Sequence, residues 1–349
     1  MKRRSVRIVG AGLIGTSIGL KLTELGAQIE IVDTDATREK IARELVGSKF
    51  ARNADLVVVA TPPAATLTVL KSEMTTNTSA TFIDVGSVKT NLQREVERFP
   101  AFVEQFVPTH PIAGRELAGP QGAQADLFEG RAWIITESGA AKERIDEVEE
   151  LIVQLGAVPY RMSPEAHDRL FARVSHLPQL LSTALALSIG ELGQERNLAG
   201  SGLRDMIRLA GSDGRLWQEI LTENKSEVLE ALSRFSATLD QLRGAIETGN
   251  SGAIIELFKG AKSERDKLSG KHGAIARDYS FVDVVIDDRP GQLAAIFKEC
   301  GLISVNIEDL ALEHSPRQET GLIRLALSHE DARKLHKHLT DLGWRAHQR

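Results

Sequence analysis

The chain has 349 residues, of which 42% are apolar and 26% charged, a balance typical of a soluble globular protein of two or three domains. A net charge of -5 with no basic stripe excludes a general nucleic-acid binder, and no apolar run reaches the roughly 18 residues of a membrane span. The single Cys300 excludes an internal disulfide and suits a reducing compartment, so a cytoplasmic protein is expected.

Lys2-Arg3-Arg4 runs straight into a strand-like stretch, Val6 to Val9, and so does not lead into a signal sequence. Gly10-Ala11-Gly12-Leu13-Ile14-Gly15 follows, then helical periodicity over Ser17 to Leu25 and a second strand, Gln28 to Val32, ending in Asp33. This is G-x-G-x-x-G in the setting it requires: strand before, helix after, acid at the end of the next strand. Gly10 permits the tight turn, Gly12 lets a pyrophosphate approach, and Gly15 lets the helix pack close. Asp33 accepts from both ribose hydroxyls and repels a 2'-phosphate, which favours NAD over NADP.

The alternation continues with strands Asp55 to Ala60, ending in Thr61-Pro62-Pro63, and Thr81 to Val85, ending in Gly86-Ser87-Val88-Lys89. Ser87 reads either as an N-cap for a helix Val88 to Glu97 or as a group facing a ligand. Phe102 to Val107 reads as a strand stopped by Pro108, with His110 held beyond it between two prolines and Gly114 allowing the backbone to turn. An imidazole on so stiff a segment, beside Arg115 and Glu116, is a candidate functional group; a satisfied loop histidine is the plainer alternative. In an open parallel sheet ligands sit beyond the carboxyl ends of the strands, so Gly10 to Gly15, Thr61, Pro62, Ser87 and His110 converge on one crevice. Trp133 to Thr136, a helix Ala141 to Leu155 and a strand Val158 to Arg161 complete a Rossmann-type domain, 1–163.

Ser163-Pro164 opens an all-helical region, 164–272. A helix Glu165 to Leu192 carries His176 just before Pro178, which should kink it. Such a histidine is either structural or a ligand contact, and His167, nine residues earlier, lies on nearly the opposite face, so the two form no metal pair. Arg204 and Arg208 share a face, as a carboxylate clamp or as surface charge. Val228, Leu232, Phe235, Leu239, Leu242 and Ile246 keep the spacing of a helix-pair seam, and this much apolar helix surface predicts a homodimer. After a polar linker, Lys271 to Asp278, residues 278–349 read as strand (279–286), helix (292–300), strand (305–313), strand (319–327), helix (330–342) and strand (344–347), a ferredoxin-like order. No Cys/His cluster has the spacing of a metal site.

Together Gly10-x-Gly12-x-x-Gly15, Asp84-x-Gly-Ser87-x-Lys89, His110-Pro-Ile-Ala-Gly-Arg-Glu116, Ser175-His-Leu-Pro178 and Arg208-Leu-Ala-x-Ser-Asp-x-x-Leu-Trp217 resemble the prephenate/arogenate dehydrogenase family of tyrosine biosynthesis. The resemblance runs from Val6 to about Leu268, and the tail resembles an ACT domain, a module that binds amino acids. It implies oxidation of the ring carbinol of prephenate by NAD with loss of the ring carboxylate as CO2. It also implies His110 as acceptor for the ring hydroxyl, Ser87 ordering it and Arg208 on a substrate carboxylate. Glu116 and His176 define the pocket, and Gly291 and Asn306 mark an effector site for tyrosine. Many members have a second histidine at Gln179, which leaves prephenate or arogenate as substrate open. Gly214 replaces a usual proline. A non-catalytic NAD-binding regulator is the alternative of a different class.

Overall fold

Runs of apolar, largely β-branched residues make the centre of a seven-stranded sheet: β1 (Ser5–Val9), β2 (Gln28–Val32), β3 (Leu56–Val59), β4 (Thr81–Asp84), β5 (Phe106–Pro111), β6 (Ala132–Thr136) and β7 (Val158–Met162), in the order β2-β1-β3-β4-β5-β6-β7. The computed structural model describes residues 4–49, 54–115, 117, 119–267, 279–287, 289–314 and 320–348. It divides into two units, 1–243 and 244–349. The connections of the first unit carry α1 (Leu13–Glu24), α2 (Ala36–Val46), α3 (Pro63–Thr76), α4 (Thr90–Glu97), a single turn α5 (Pro100–Val103) and α6 (Lys142–Gln154).

Every position of β3 and β4 is buried, as a strand covered on both faces requires. Alternate residues feed two cores: Leu56 and Val58 pack with Ile18, Ala42 and Leu151, whereas Val57 and Val59 pack with Leu70, Met74 and Val96. α1, α2 and α6 thus cover one face, α3 and α4 the other. α1 begins at Leu13, within the glycine motif and earlier than Ser17.

The sheet departs from a purely parallel one, because β6 runs antiparallel to β5. A second correction concerns β5 itself. Pro108 does not end it: residues 100–103 are helical and the strand runs Phe106–Pro111. Pro108 is tolerated because it sits where β5 changes neighbours. Its last register pair with β4 is Asp84↔Pro108, and pairing with β6 begins at Thr109↔Ile135. His110 is therefore a strand residue with its backbone in the sheet.

Beyond β7 the first unit is helical: α7 (Pro164–Phe171), α8 (Leu177–Ser188), α9 (Ser201–Ile207), α10 (Gly214–Glu223) and α11 (Lys225–Glu247), which the division of units crosses. The helix over 165–192, expected to kink at Pro178, is interrupted just before that residue, since Ala172–His176 form a π turn. Pro178 cannot donate to the carbonyl of Val174, and the helix absorbs the loss as a wider turn. Of the expected seam, Val228 and Leu232 pack with Ala172, Leu177 and Leu221, whereas Leu239 is more than half exposed.

The second unit holds α12 (Ser251–Asp266), then β8 (Ser280–Asp287), α13 (Gln292–Leu302), β9 (Asp309–His314), β10 (Thr320–Leu327), α14 (His329–Asp341) and β11 (Arg345–Gln348). The sheet order is β11-β8-β10-β9 with every pair antiparallel. Val282, Val284, Ile296, Leu325, Leu335 and Leu339 form its core. The strand expected from Val305 starts only at Asp309, because the chain reverses after α13 through Ser304, at φ 53°. The expected linker, 271–278, lies outside the described residues, as does Glu116.

Candidate active site

The glycine loop joins β1 to α1 with no room to spare. Gly10 has φ +112°, and a Cβ there would stand 2.2 Å from the carbonyl oxygen of Ala60. A Cβ on Gly15 would meet the Gly10 oxygen at 2.1 Å, while one on Gly12 would meet nothing within 4 Å among the described residues. Gly12 is thus the open point of approach, at the start of a helix that no side chain among the described residues caps. The first N–H groups of α1 remain to receive an anion. Asp33 Oδ2 accepts from the backbone N–H of Ala11 at 2.7 Å and Oδ1 from that of Asp35 at 2.8 Å. Each oxygen keeps lone pairs for a diol. Beside Ala60, Thr61 hydrogen-bonds Thr66 at 3.1 Å and Pro62 caps α3. These features fit a dinucleotide.

A second set of groups lies at the carboxyl ends of β4 and β5. Asp84 and Lys89 form a fully buried ion pair, and Lys89 Nζ also donates to the carbonyl of Thr109 at 2.7 Å. Thr109 returns its N–H to Asp84 Oδ1 at 3.1 Å. The turn 84–89 is thereby locked to the start of His110. Ser87, half-buried in this turn, does not cap α4. The helix begins two residues later than expected, and its cap comes from α7. Asp168 accepts from the backbone N–H of Lys89 at Oδ1 and of Thr90 at Oδ2, both at 2.9 Å.

Asp168 also hydrogen-bonds His167 Nδ1 at 2.8 Å, and His167 Nε2 lies 2.8 Å from His110 Nδ1. Phe171, one turn along α7, packs on both rings, at 4.8 Å from His110 and 4.5 Å from His167. The π turn directs His176 inward. It is buried, with Nδ1 3.2 Å from Asn224 Nδ2, and its ring is edge-on to Trp217 at 5.9 Å. Asn224 Nδ2 also donates to the Asp168 carbonyl at 2.8 Å, so His110, His167, Asp168, Asn224 and His176 form one connected group.

Burial, then the fields of His167, Lys89 and His176, hold His110 well below the ordinary histidine value. Burial also lowers His167 against the pull of Asp168, and lowers His176 to about 4. Burial alone would raise the Asp168 carboxyl, but hydrogen bonds from His167, Thr90 and Lys89 outweigh it and keep the group ionised. Burial pulls Lys89 down in spite of Asp84. At neutral pH the three imidazoles are uncharged and the carboxylate is not.

The remaining expected residues fall nearby or elsewhere. Gln179 is buried and its amide is engaged, donating to the Leu209 carbonyl at 2.7 Å and accepting from Ser212 Oγ at 3.1 Å. It ties α8 to the turn that begins with Arg208, which is exposed. A cleft of about 680 Å³ opens there, lined by Gln179, Thr183, Ser212, Trp217 and Leu221. In the second unit Gly291, at φ +90°, lines a cavity of about 310 Å³ with Asp287, Arg289, Gln292 and Leu312. Asn306 is outside that lining, its amide donating to Glu308 at 3.0 Å. Sequence reasoning missed His167, Asp168 and Lys89. His167 and Asp168 had one signal, a His-Asp pair following the Ser163-Pro164 helix start, and Lys89 stood in the Asp84-x-Gly-Ser87-x-Lys89 motif.

A dinucleotide loop with an uncharged imidazole at the end of another strand of the same sheet defines the class of nicotinamide-dependent oxidoreductases. Comparisons specify it further. The family profile described as the prephenate dehydrogenase nucleotide-binding domain matches residues 18–161, and that described as its dimerization domain matches 163–260. A probable prephenate dehydrogenase, NovF, of Streptomyces niveus is 31% identical over 98% of this chain and 99% of its own. Prephenate dehydrogenase from Aquifex aeolicus, solved with hydroxyphenyl propionate and NAD+, has a TM-score of 0.69 at 29% identity, covering 77% of this chain and 99% of that one. Synechocystis arogenate dehydrogenase has a TM-score of 0.65 at 28% identity, covering 75% and 99%. This chain belongs to the prephenate dehydrogenase family.

Two stability measurements test the electrostatics. Lys89→Met leaves Asp84 buried without its cation and should cost about 3 kcal/mol in urea unfolding. His176 has a folded-state pKa of about 4, below its unfolded value, so the unfolded chain binds the proton first as pH falls. Its contribution is complete above pH 6.5 and is lost toward pH 4, by about 3 kcal/mol at most. His110 and His167 act in the same direction. His176→Gln should flatten the decline between those limits.

Proposed function

We propose that this chain oxidises prephenate with NAD, releasing the ring carboxylate as CO2 and leaving 4-hydroxyphenylpyruvate, a step of tyrosine biosynthesis. The observation that carries the reading is the neutral His110 imidazole, fixed in β5 of the sheet whose first turn is the dinucleotide loop. Gly10, Gly12, Leu13, Ile14, Gly15 and Asp33, with Thr61 and Pro62 beside them, would hold NAD, which would supply the acceptor for the hydride of the ring carbon that bears the hydroxyl.

His110 accepts that hydroxyl's hydrogen bond and holds its proton while the hydride departs. The bonding pair of the lost carboxylate flows into the ring, which becomes aromatic. The oxygen that gave up the proton then takes it back as a phenol. The imidazole is thus a temporary store, a role that general-base catalysis values at roughly 10²–10⁴-fold. Ser87 orders the hydroxyl end of the substrate, and Arg208 holds a carboxylate, since a guanidinium matches that geometry. His176, uncharged at neutral pH, shapes the pocket by hydrogen bonding, and Glu116 is placed beside it by resemblance alone.

Arogenate is the second reading, and Gln179 favours keeping it. The amide that replaces a histidine is committed to Leu209 and Ser212, so it brings no charge to choose between an oxo group and an amine. The domain borders that go with this function are 1–163, 164–272 and 278–349. The family matches ending at 161 and starting at 163 support the first of them. The helical part pairs with a second copy, a reading supported by its matched description and by the exposed Leu187, Leu198 and Met206. The tail acts as an ACT module that takes tyrosine in the cavity beside Gly291, supported by its β-α-β-β-α-β order. No helix among the described residues is long and apolar enough to cross a membrane, and the buried thiol Cys300 fits a cytoplasmic location.

His110→Ala should lower kcat by about 10²–10⁴-fold with NAD affinity within about threefold of the parent. Initial rates with prephenate and arogenate, each with NAD and NADP, decide the substrate. A much higher kcat/KM for arogenate reverses the preference stated here. Tyrosine should bind the full chain in calorimetry, and Arg289→Ala should weaken it at least tenfold; an unchanged affinity removes the cavity as the effector site.

A further inference from the structure

We infer that His167 and Asp168 are positioning residues, which fix His110 in the tautomer whose Nε2 accepts the proton and which share the positive charge the ring then gains. The inference rests on the reading of His110 as that acceptor. The direction of every hydrogen bond follows from the anionic end of the chain. Backbone N–H groups can only donate, so Asp168 accepts from Lys89 and Thr90 at its two oxygens. An ionised carboxylate has no proton to give, so at Oδ1 it must also accept from His167 Nδ1. A neutral imidazole has one N–H, and for His167 it is now assigned. His167 Nε2 therefore carries a lone pair, and His110 Nδ1, 2.8 Å away, must be the donor. His110 is left with Nδ1–H and a basic Nε2.

The same chain acts when the proton arrives. With Nε2 protonated, the His110 imidazolium still donates through Nδ1 to His167, which Asp168 makes a stronger acceptor. Asp168 is in turn held by the amides of Lys89 and Thr90, so the charge meets groups already oriented toward it. Phe171, against both rings, restricts the rotation that would exchange their nitrogens. When the phenol oxygen forms, the proton leaves Nε2 and the chain is restored with nothing consumed.

Asp168→Asn offers an amide N–H where His167 finds a carboxylate, which reverses the direction of both bonds and places a proton on His110 Nε2. With prephenate and NAD, kcat should fall about 10²-fold or more while both KM values stay within about threefold. His167→Phe removes the acceptor and should lose as much. His167→Gln puts an amide oxygen near the place of Nε2 and should recover at least about tenfold over His167→Phe. If Asp168→Asn and His167→Phe keep kcat within threefold while His110→Ala is inactive, the inference falls and the role of His110 stands. If His110→Ala is also active, the proposed function's base is wrong instead. Asp168→Asn weakens the cap of α4, so ring-nitrogen NMR of the NAD-bound, ¹⁵N-histidine-labelled parent supplies an answer that needs no variant beyond His110→Ala for assignment. A protonated Nδ1 and bare Nε2 on His110 support the inference; the opposite tautomer overturns it.

Discussion

One carboxylate joins the helical segment to the nucleotide-binding sheet. Asp168, on α7, accepts from the amides of Lys89 and Thr90 at the start of α4 and holds the ring of its neighbour His167. A helix N-terminus with unsatisfied N–H groups favours an anion, and a buried anion requires donors. The two needs meet across 79 residues of sequence. Because α4 begins where Asp168 can reach it, the turn that carries Ser87 and Lys89 is held from both ends. The order of the site follows from that junction.

The charges around it are arranged so that few remain. Asp84 and Lys89 cancel in a fully buried pair, which adds little stability by itself but cannot be broken cheaply. They spend their hydrogen bonds on Thr109, the residue before His110. His110, His167 and His176 are all kept neutral by burial. A pocket of uncharged imidazoles is suited to taking a proton briefly and unsuited to gripping an anion. In the proposed reaction that task is given to Arg208, exposed on a turn that Gln179 ties to α8.

The nucleotide half was legible because its signals are local. Gly10, Gly12 and Gly15 stand at a fixed spacing in one strand–loop–helix turn, and Asp33 ends the next strand, so spacing alone located them. The succession of strands along 5–162 followed from apolar runs of the right length. Errors arose where a residue's neighbours come from afar. Pro108 reads as a strand stop, yet it lies where β5 exchanges β4 for β6. Ser87 reads as a cap, yet the cap of α4 is supplied by α7. Helix 165–192 reads as kinked at Pro178, but that the break is a π turn facing His176 inward was not readable.

By itself the sequence determined the class of fold, the dinucleotide loop and the identity of His110 as a residue set apart by its rigid flanks, because turn geometry and periodicity act over a few residues. The pairing of His110 with His167, the capping of α4 by Asp168 and the burial that keeps the imidazoles neutral were decided only by the tertiary structure. Hydrogen-bond direction and desolvation depend on which groups meet in space, and no spacing rule along the chain links residue 110 to residues 167 and 168.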